Sequence, residues 1–382
     1  MKALHIRIIC LAAVMALLFS LAACAGQPQG DDGAPALTGC PVIEDDKFGG
    51  VYIDVSPEDF EALGFEYGDS VDIVFSNGYE MHDVPYYNYY YVKMYEPILI
   101  AYPGYERIKA AINCGDSLWV EAGLTDADTA DITLFEKAKY REIWENRNIS
   151  YTNNREDYES DAVFANFRGV EAGEIAPGVL YRSASPCDNK FSRAAYTDRL
   201  ISEAKIGFIM NLSDSDEDIK GYIAEEDFDS PYFLSLYENG KVCPLSMNAN
   251  YGSEDFAKKA AAGFTAMAHS DGPYLIHCLE GKDRTGFVCV LAEALMGATR
   301  EEITDDYMIT YKNYYGITAE SDPTRYEVNK MQVDDMLDLL TNNYGGGTGD
   351  LAACAEDYLI SQGGMSADDI ALLKEKLSSA VE

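Results

Sequence analysis

The chain has 382 residues, with 29 lysines and arginines against 65 aspartates and glutamates, for a formal charge of -36. Such a field repels nucleic acid and anionic headgroups over a Debye length, which excludes a nucleic-acid binder and requires that any anionic ligand be captured by a local positive pocket. Hydrophobic residues make up 47% and aromatic residues 12%, enough for two buried cores at this length and incompatible with disorder throughout.

Lys2 and Arg7 precede an apolar run from Ile8 to Ala23, too short for a spanning helix but suited to a secretory h-region. The run ends in Leu21-Ala22-Ala23-Cys24, which resembles the lipobox of bacterial lipoproteins. That resemblance implies a signal peptide over residues 1–23, a lipid on Cys24 and an extracytoplasmic protein anchored to the bacterial cell membrane. Ordinary secretion with an inert Cys24 is the alternative. Residues 24–44 read as a flexible tether, rich in Gly, Pro, Asp and Gln as far as Gly39. The other cysteines form no C-x-x-C pair, and His82, His269 and His277 are dispersed, so neither a metal site nor a cofactor is expected.

Residues 45–150 read as a small β-rich domain of unknown use. Ser56-Pro57-Glu58-Asp59 opens a short helix that ends near Gly64, and Val71 to Phe75 runs into a Ser76-Asn77-Gly78 hairpin turn. Tyr86, Tyr87, Tyr89, Tyr90 and Tyr91 crowd one segment. Half-buried sheet packing is the simpler account of them, a carbohydrate- or protein-binding face the other. Lys47-Phe48-Gly49, Gly64-Phe65 and Gly68-Asp69 are similar to short motifs in the β-barrel half of S-adenosylmethionine hydrolases, and no chemistry is attached to them.

From residue 151 to 382 strands alternate with amphipathic helices. A helix over Ser192 to Ala204 precedes a strand over Ile206 to Leu212, and a second strand runs from Val242 to Met247. Ser253 opens a helix to His269, and Tyr274-Leu275-Ile276 is the next strand. Further helices run from Thr285 to Met296, from a capping box at Thr299 and Glu302, from Pro323 to Leu340, and from Met365-Ser366. The alternation predicts an α/β fold with a parallel sheet.

Directly after Tyr274-Leu275-Ile276 stands His277-Cys278-Leu279-Glu280-Gly281-Lys282-Asp283-Arg284-Thr285-Gly286. Strand, tight loop and helix in that order make a cradle for a dianionic phosphate. Gly281 permits a sharp curl, the amides of Leu279, Glu280, Gly281 and Lys282 line the concavity, and the helix N-terminus adds unpaired donors. Cys278 at the base is the expected nucleophile, its thiolate stabilised by those amides. Arg284 offers a planar fork for two equatorial oxygens. Thr285 can donate to the cysteine sulfur, and His277 can fix the cysteine backbone.

The segment resembles the H-C-x-x-G-x-x-R-T-G signature of cysteine-dependent tyrosine phosphatases, and its Lys282-Asp283 pair is similar to the bacterial branch that acts on phosphotyrosine and, in several members, on phosphoinositides. Asn166-Phe167-Arg168 and Gly178 to Ser183 resemble that branch's opening segment. The resemblance implies a phosphotyrosine-phosphatase-like sheet with helices on both faces and a two-step, metal-free mechanism through a cysteinyl-phosphate. Many relatives carry a Trp-Pro-Asp loop, but Met247-Asn248-Ala249-Asn250-Tyr251-Gly252 has no aspartate. Asp283 is therefore the expected general acid, as in myotubularins. Asp214 and Asp216 are displaced candidates that read as a solvated acidic loop. Arg182 is expected to pair with an acidic neighbour. Glu280 places a carboxylate at the rim and so favours a monophosphate such as a phosphotyrosine protein over an inositol phosphate, even with Lys282 alongside. A non-catalytic phosphate-binding lipoprotein is a second class of reading, and sulfur transfer on a rhodanese-like loop a remote third.

Overall fold

The computed structural model describes residues 33–380. The signal peptide and the lipidation site at Cys24 lie outside that range. Two compact units divide between Asn148 and Ile149.

The first unit is a closed barrel of seven strands: β1 (Ala36–Glu44), β2 (Val51–Ile53), β3 (Ser70–Phe75), β4 (Glu80–Tyr87), β5 (Pro97–Ile100), β6 (Ile108–Ile112) and β7 (Thr129–Glu136). Their order around the barrel is β1-β2-β6-β5-β4-β3-β7. β4 and β5 run parallel, while the other neighbours are antiparallel. Alternate residues of each strand point inward, so Val42, Val51, Ile53, Ile73, Val84, Leu99, Ala110 and Ile132 meet in one core with Phe60 and Phe65. Ser56 caps the Pro57–Ala62 helix by accepting from the Asp59 amide, and β3 and β4 form the hairpin around Asn77-Gly78.

The tether reading of residues 24–44 is corrected over its second half, because Ala36–Glu44 is a barrel strand that pairs with both β2 and β7; residues 24–32 lie outside the described range. Its alternation breaks at Thr38 and Gly39, which are both exposed, and its register with β7 shifts between Leu37 and Cys40. Ladder bonds on both sides hold what propensity does not. Tyr86 and Tyr87 are buried in β4, whereas Tyr89 is exposed beyond it.

The second unit is mixed α/β. Its sheet comprises β8 (Arg168–Gly169), β9 (Leu180–Ser183), β10 (Phe208–Asn211), β11 (Val242–Pro244) and β12 (Tyr274–His277), in the order β11-β10-β12-β9-β8. β11, β10, β12 and β9 are parallel, and β8 adds antiparallel at the edge. Ile209 and Leu275 join Ile201, Ile219 and Phe233 of three helices in one core. The neighbouring Met210 instead lies against Gly263 of the Glu254–Ala268 helix. Opposite faces of β10 are thus covered by different helices.

The Asp283–Leu295 helix is buried continuously from Thr285, Glu293 included, in keeping with its otherwise largely apolar sequence. It packs against the Arg300–Tyr315, Pro323–Asn343 and Leu351–Asp357 helices. The expected capping box of Thr299 and Glu302 is formed. The short Asp216–Ile223, Pro231–Glu238 and Leu351–Asp357 helices were not anticipated from periodicity. No helix among the described residues is long and apolar enough to cross a membrane.

Candidate active site

β12 ends at His277, and the chain turns through Cys278 to Lys282 before entering the Asp283–Leu295 helix. The geometry of this turn is set by what holds its carbonyls. Cys278 O lies 3.3 Å from His277 Nδ1, and Leu279 O accepts from the Ser185 amide at 3.1 Å. Glu280 O accepts from Tyr314 Oη at 2.7 Å and Asn166 Nδ2 at 3.3 Å. Gly281 O accepts from Arg182 Nη2 at 3.1 Å and Asn166 Nδ2 at 3.2 Å.

In a trans peptide the N-H points opposite to the preceding carbonyl. Holding these four carbonyls therefore turns the amides of Leu279, Glu280, Gly281 and Lys282 away from the donors behind them. No oxygen among the described residues pairs with those four amides, or with the amides of Asp283, Arg284 and Thr285 in the first helical turn. The latter carry the positive end of the helix dipole. Gly281 has φ +66°, and a Cβ there would sit 2.3 Å from Ser183 O. The backbone conformation disfavours a side chain at this position, and the clash excludes one.

The donors are fixed from further out. Asn166, itself at φ +49°, is gripped at Oδ1 by Arg168 Nη1 at 2.7 Å and Asn313 Nδ2 at 3.0 Å. Arg182 is buried and pairs with Asp306 Oδ2 at 2.5 Å, while Arg168 Nε pairs with Asp306 Oδ1 at 3.0 Å. Burial pushes the Asp306 carboxyl up, but Arg168 and Arg182 outweigh it and hold it at about 2. The expected pairing of Arg182 with an acid is found, and it serves the loop.

Cys278 is 3% exposed at the start of the turn. Burial, with Arg284 nearby, lowers the His277 ring to about 3 against the hydrogen bond to Cys278, so the ring is neutral. Because a carbonyl can only accept, the proton sits on Nδ1. Arg284 donates through Nη1 to Met247 O at 3.0 Å, which lays the guanidinium against the Met247 to Gly252 segment. That segment is held in turn by Tyr358, which donates to Tyr251 O at 2.7 Å, and Gln362, which donates to Gly252 O at 2.9 Å.

The Thr285 hydroxyl is buried with no hydrogen-bond partner among the described residues. Glu280 departs from expectation. Its carboxylate does not stand open at the rim but accepts a hydrogen bond from Tyr151 Oη. Burial and then Glu280 raise the Tyr151 hydroxyl, which keeps it a donor.

Lys282 lies over the Tyr311 and Tyr315 rings at 5.5 and 5.9 Å, and its Nζ is 3.9 Å from Asp283 Oδ1. Burial opposes its charge, yet Asp283 and the two tyrosines raise it well above the ordinary lysine value. Asp283 Oδ1 accepts from Gln332 Nε2 at 2.9 Å, and Gln332 Oε1 accepts from Tyr311 Oη at 2.8 Å.

Asp214 is not the solvated residue expected. It is buried, accepting from Ser213 Oγ at 2.9 Å beside Cys187. Asp216 does lie at the surface, with Lys220 and Tyr237 as partners. Tyr151, Asn313, Tyr314 and Gln332 escaped sequence reading. Nothing in the local text marks them, because each reaches the loop from a distant element.

Two outcomes test this construction. Asp306→Asn leaves two buried guanidinium groups without their shared charge, so we expect a loss of roughly 3–5 kcal/mol in denaturant unfolding and a fall in turnover. Gly281→Ala is expected to lower turnover at least as severely, with an accompanying drop in Tm; unchanged values for both variants would show that the carbonyl contacts are incidental.

Comparison with known proteins bears on this unit. The sequence model of the tyrosine phosphatase family matches residues 164–379. A candidate tyrosine-protein phosphatase of Cupriavidus necator is 39% identical over 51 residues, 13% of this chain and 19% of that protein. The match thus spans about a fifth of that relative's length. The family match covers more than half of the 382 residues and contains the whole loop with all the residues that hold its carbonyls: the chain belongs to the tyrosine phosphatase family.

Proposed function

We propose that the second unit hydrolyses phosphomonoesters through a cysteinyl-phosphate, with phosphotyrosine-type aryl phosphates as its first substrates. The observation that carries this reading is the run of unpaired amides from Leu279 to Thr285, opposite four carbonyls held from behind. Those amides and the helix N-terminus bind the phosphoryl oxygens, and Arg284 clamps two of them as charge moves in transfer. The Cys278 thiolate attacks phosphorus, the ester P-O bond breaks, and the departing oxygen takes a proton from Asp283. Water then attacks the cysteinyl-phosphate and gives a proton to Asp283. The S-P bond breaks, inorganic phosphate leaves, and the thiolate is restored.

Gln332 supports the assignment of Asp283. Because its Oε1 is taken by Tyr311 Oη, its amide nitrogen faces Asp283 Oδ1, which leaves Oδ2 to carry the transferred proton. Inositol phosphates are the second substrate class, supported by the protonated Lys282 beside the loop. Lys282 is engaged by Asp283 and two tyrosine rings, and this keeps the monophosphate first.

Residence at the outer face of the membrane through a lipid on Cys24 is also part of the proposal. Its support is the Ile8 to Cys24 sequence.

Cys278→Ser is expected to abolish turnover of a chromogenic aryl phosphate while keeping phosphate binding and Tm. Retained turnover in that variant would overturn the cysteinyl-phosphate mechanism, and phosphate binding without turnover in the unaltered protein would leave only the phosphate-binding reading. Asp283→Asn should reduce turnover by roughly 100-fold or more for poor leaving groups and far less for good ones. Gln332→Leu should show the same pattern more weakly; leaving-group sensitivity confined to Asp214 variants would move the acid there. Cys24→Ala should release the protein from the membrane fraction to the soluble one, as read by detergent partitioning.

A further inference from the structure

The barrel carries an aromatic surface that phosphate chemistry does not use. Phe48 is 60%, Tyr89 47% and Tyr105 59% exposed, high values for rings in a folded domain and, when contiguous, a sign of a binding face. The rings form a chain: Tyr105 to Tyr102 at 5.0 Å, Tyr102 to Tyr89 at 6.0 Å, and Tyr89 to Tyr90 at 6.3 Å between centroids. Beside them opens a hollow of about 490 Å³ lined by Tyr52, Gly104, Tyr105, Glu106 and Arg107. Three separate pieces of chain build this surface, the Phe48 to Tyr52 stretch, the segment after β4 and the loop between β5 and β6, so sheet packing within one strand does not account for it.

The charges at the hollow define its ligand. Arg107 is paired with Asp54 at 2.8 Å and with Glu106 at 3.7 Å. Beneath the rings Lys109 is paired with Asp45 at 3.2 Å and lies 5.7 Å from the centroids of Phe48, Tyr52 and Tyr90. Neither cation is left to attract an anion, and the overall charge of -36 repels one. What remains is a set of flat apolar faces edged by phenol hydroxyls, with the exposed Glu106 carboxylate and the Arg107 guanidinium beside them. Such a site suits a neutral molecule whose rings present C-H faces and whose edges present vicinal hydroxyls, each both donor and acceptor.

We propose that this hollow binds a neutral saccharide, with Tyr105 as the stacking platform and Glu106 and Arg107 as hydroxyl partners. The proposal is independent of the phosphatase reading, because it rests on the barrel alone. The full chain, electrophoresed through native gels containing hydroxyethyl cellulose, laminarin or soluble chitin oligomers, should be retarded by at least one of them. Tyr105→Ala should weaken that binding about tenfold or more, Tyr105→Trp should preserve it, and Glu106→Gln, a change at an exposed carboxylate, should weaken it without touching the core. Aryl phosphate turnover should be the same in all three variants. Absence of retardation in every gel overturns the proposal, as does retardation that Tyr105→Ala and Glu106→Gln leave intact. Binding of a proline-rich peptide that depends on Tyr105, with no saccharide bound, would assign the surface to peptide recognition instead and would equally overturn it.

Discussion

A peptide turn can offer its amides to a dianion only if its carbonyls are kept from the same space. In this protein that constraint is met from outside the turn. Asn166, Arg182, Tyr314, His277 and the Ser185 amide each take hold of a carbonyl between Cys278 and Gly281. The neutral bonds among them are worth only about 0.5–1.5 kcal/mol each, so the case for them is directional rather than energetic. The buried Arg168, Asp306 and Arg182 group has the same logic. Taking three ions out of water rarely stabilises a fold, but once buried together they resist being moved apart. Asp306 is what keeps two guanidinium groups, and through them Asn166 and Gly281, in one arrangement.

The ten residues from His277 to Gly286 were legible because their chemistry is local. A strand end, a glycine and the start of an apolar helix follow one another in the text. What lies behind the loop was legible only in part: the pairing of Arg182 with an acid was expected, the identity of its partner was not. Asn166 and Arg168 stand more than a hundred residues before the Arg300–Tyr315 helix that supplies Asp306, Thr310, Asn313 and Tyr314, and no spacing rule connects partners that meet only after the sheet has formed. The same holds for Gln332, which reaches Asp283 from the Pro323–Asn343 helix. Glu280 shows the converse error: reading it alone gave an open carboxylate, and the fold covers it with Tyr151.

In the barrel, the hairpin at Asn77-Gly78 and the cap at Ser56 were visible because turns and caps are decided within a few residues. The first strand was not. Its Gly39 and Pro41 carry a flexible-linker signature, and only closure against β2 and β7 makes a strand of it. The tyrosine-rich segment after β4 divides along a similar line. Tyr86 and Tyr87 obey the pleat and are buried, whereas Tyr89 lies past the strand end, where alternation no longer dictates a side.

The family match begins at Phe164, yet the hydroxyl that covers Glu280 comes from Tyr151. The neighbouring Thr152 and Asn153 accept from the Arg193 guanidinium, whose carbon lies 4.9 Å from the Tyr151 ring centroid. A stretch of some fifteen residues ahead of the matched region is therefore stitched onto the loop. Exchanging that lead-in would bare the Glu280 carboxylate while the groups that grip the loop's carbonyls stay where they are.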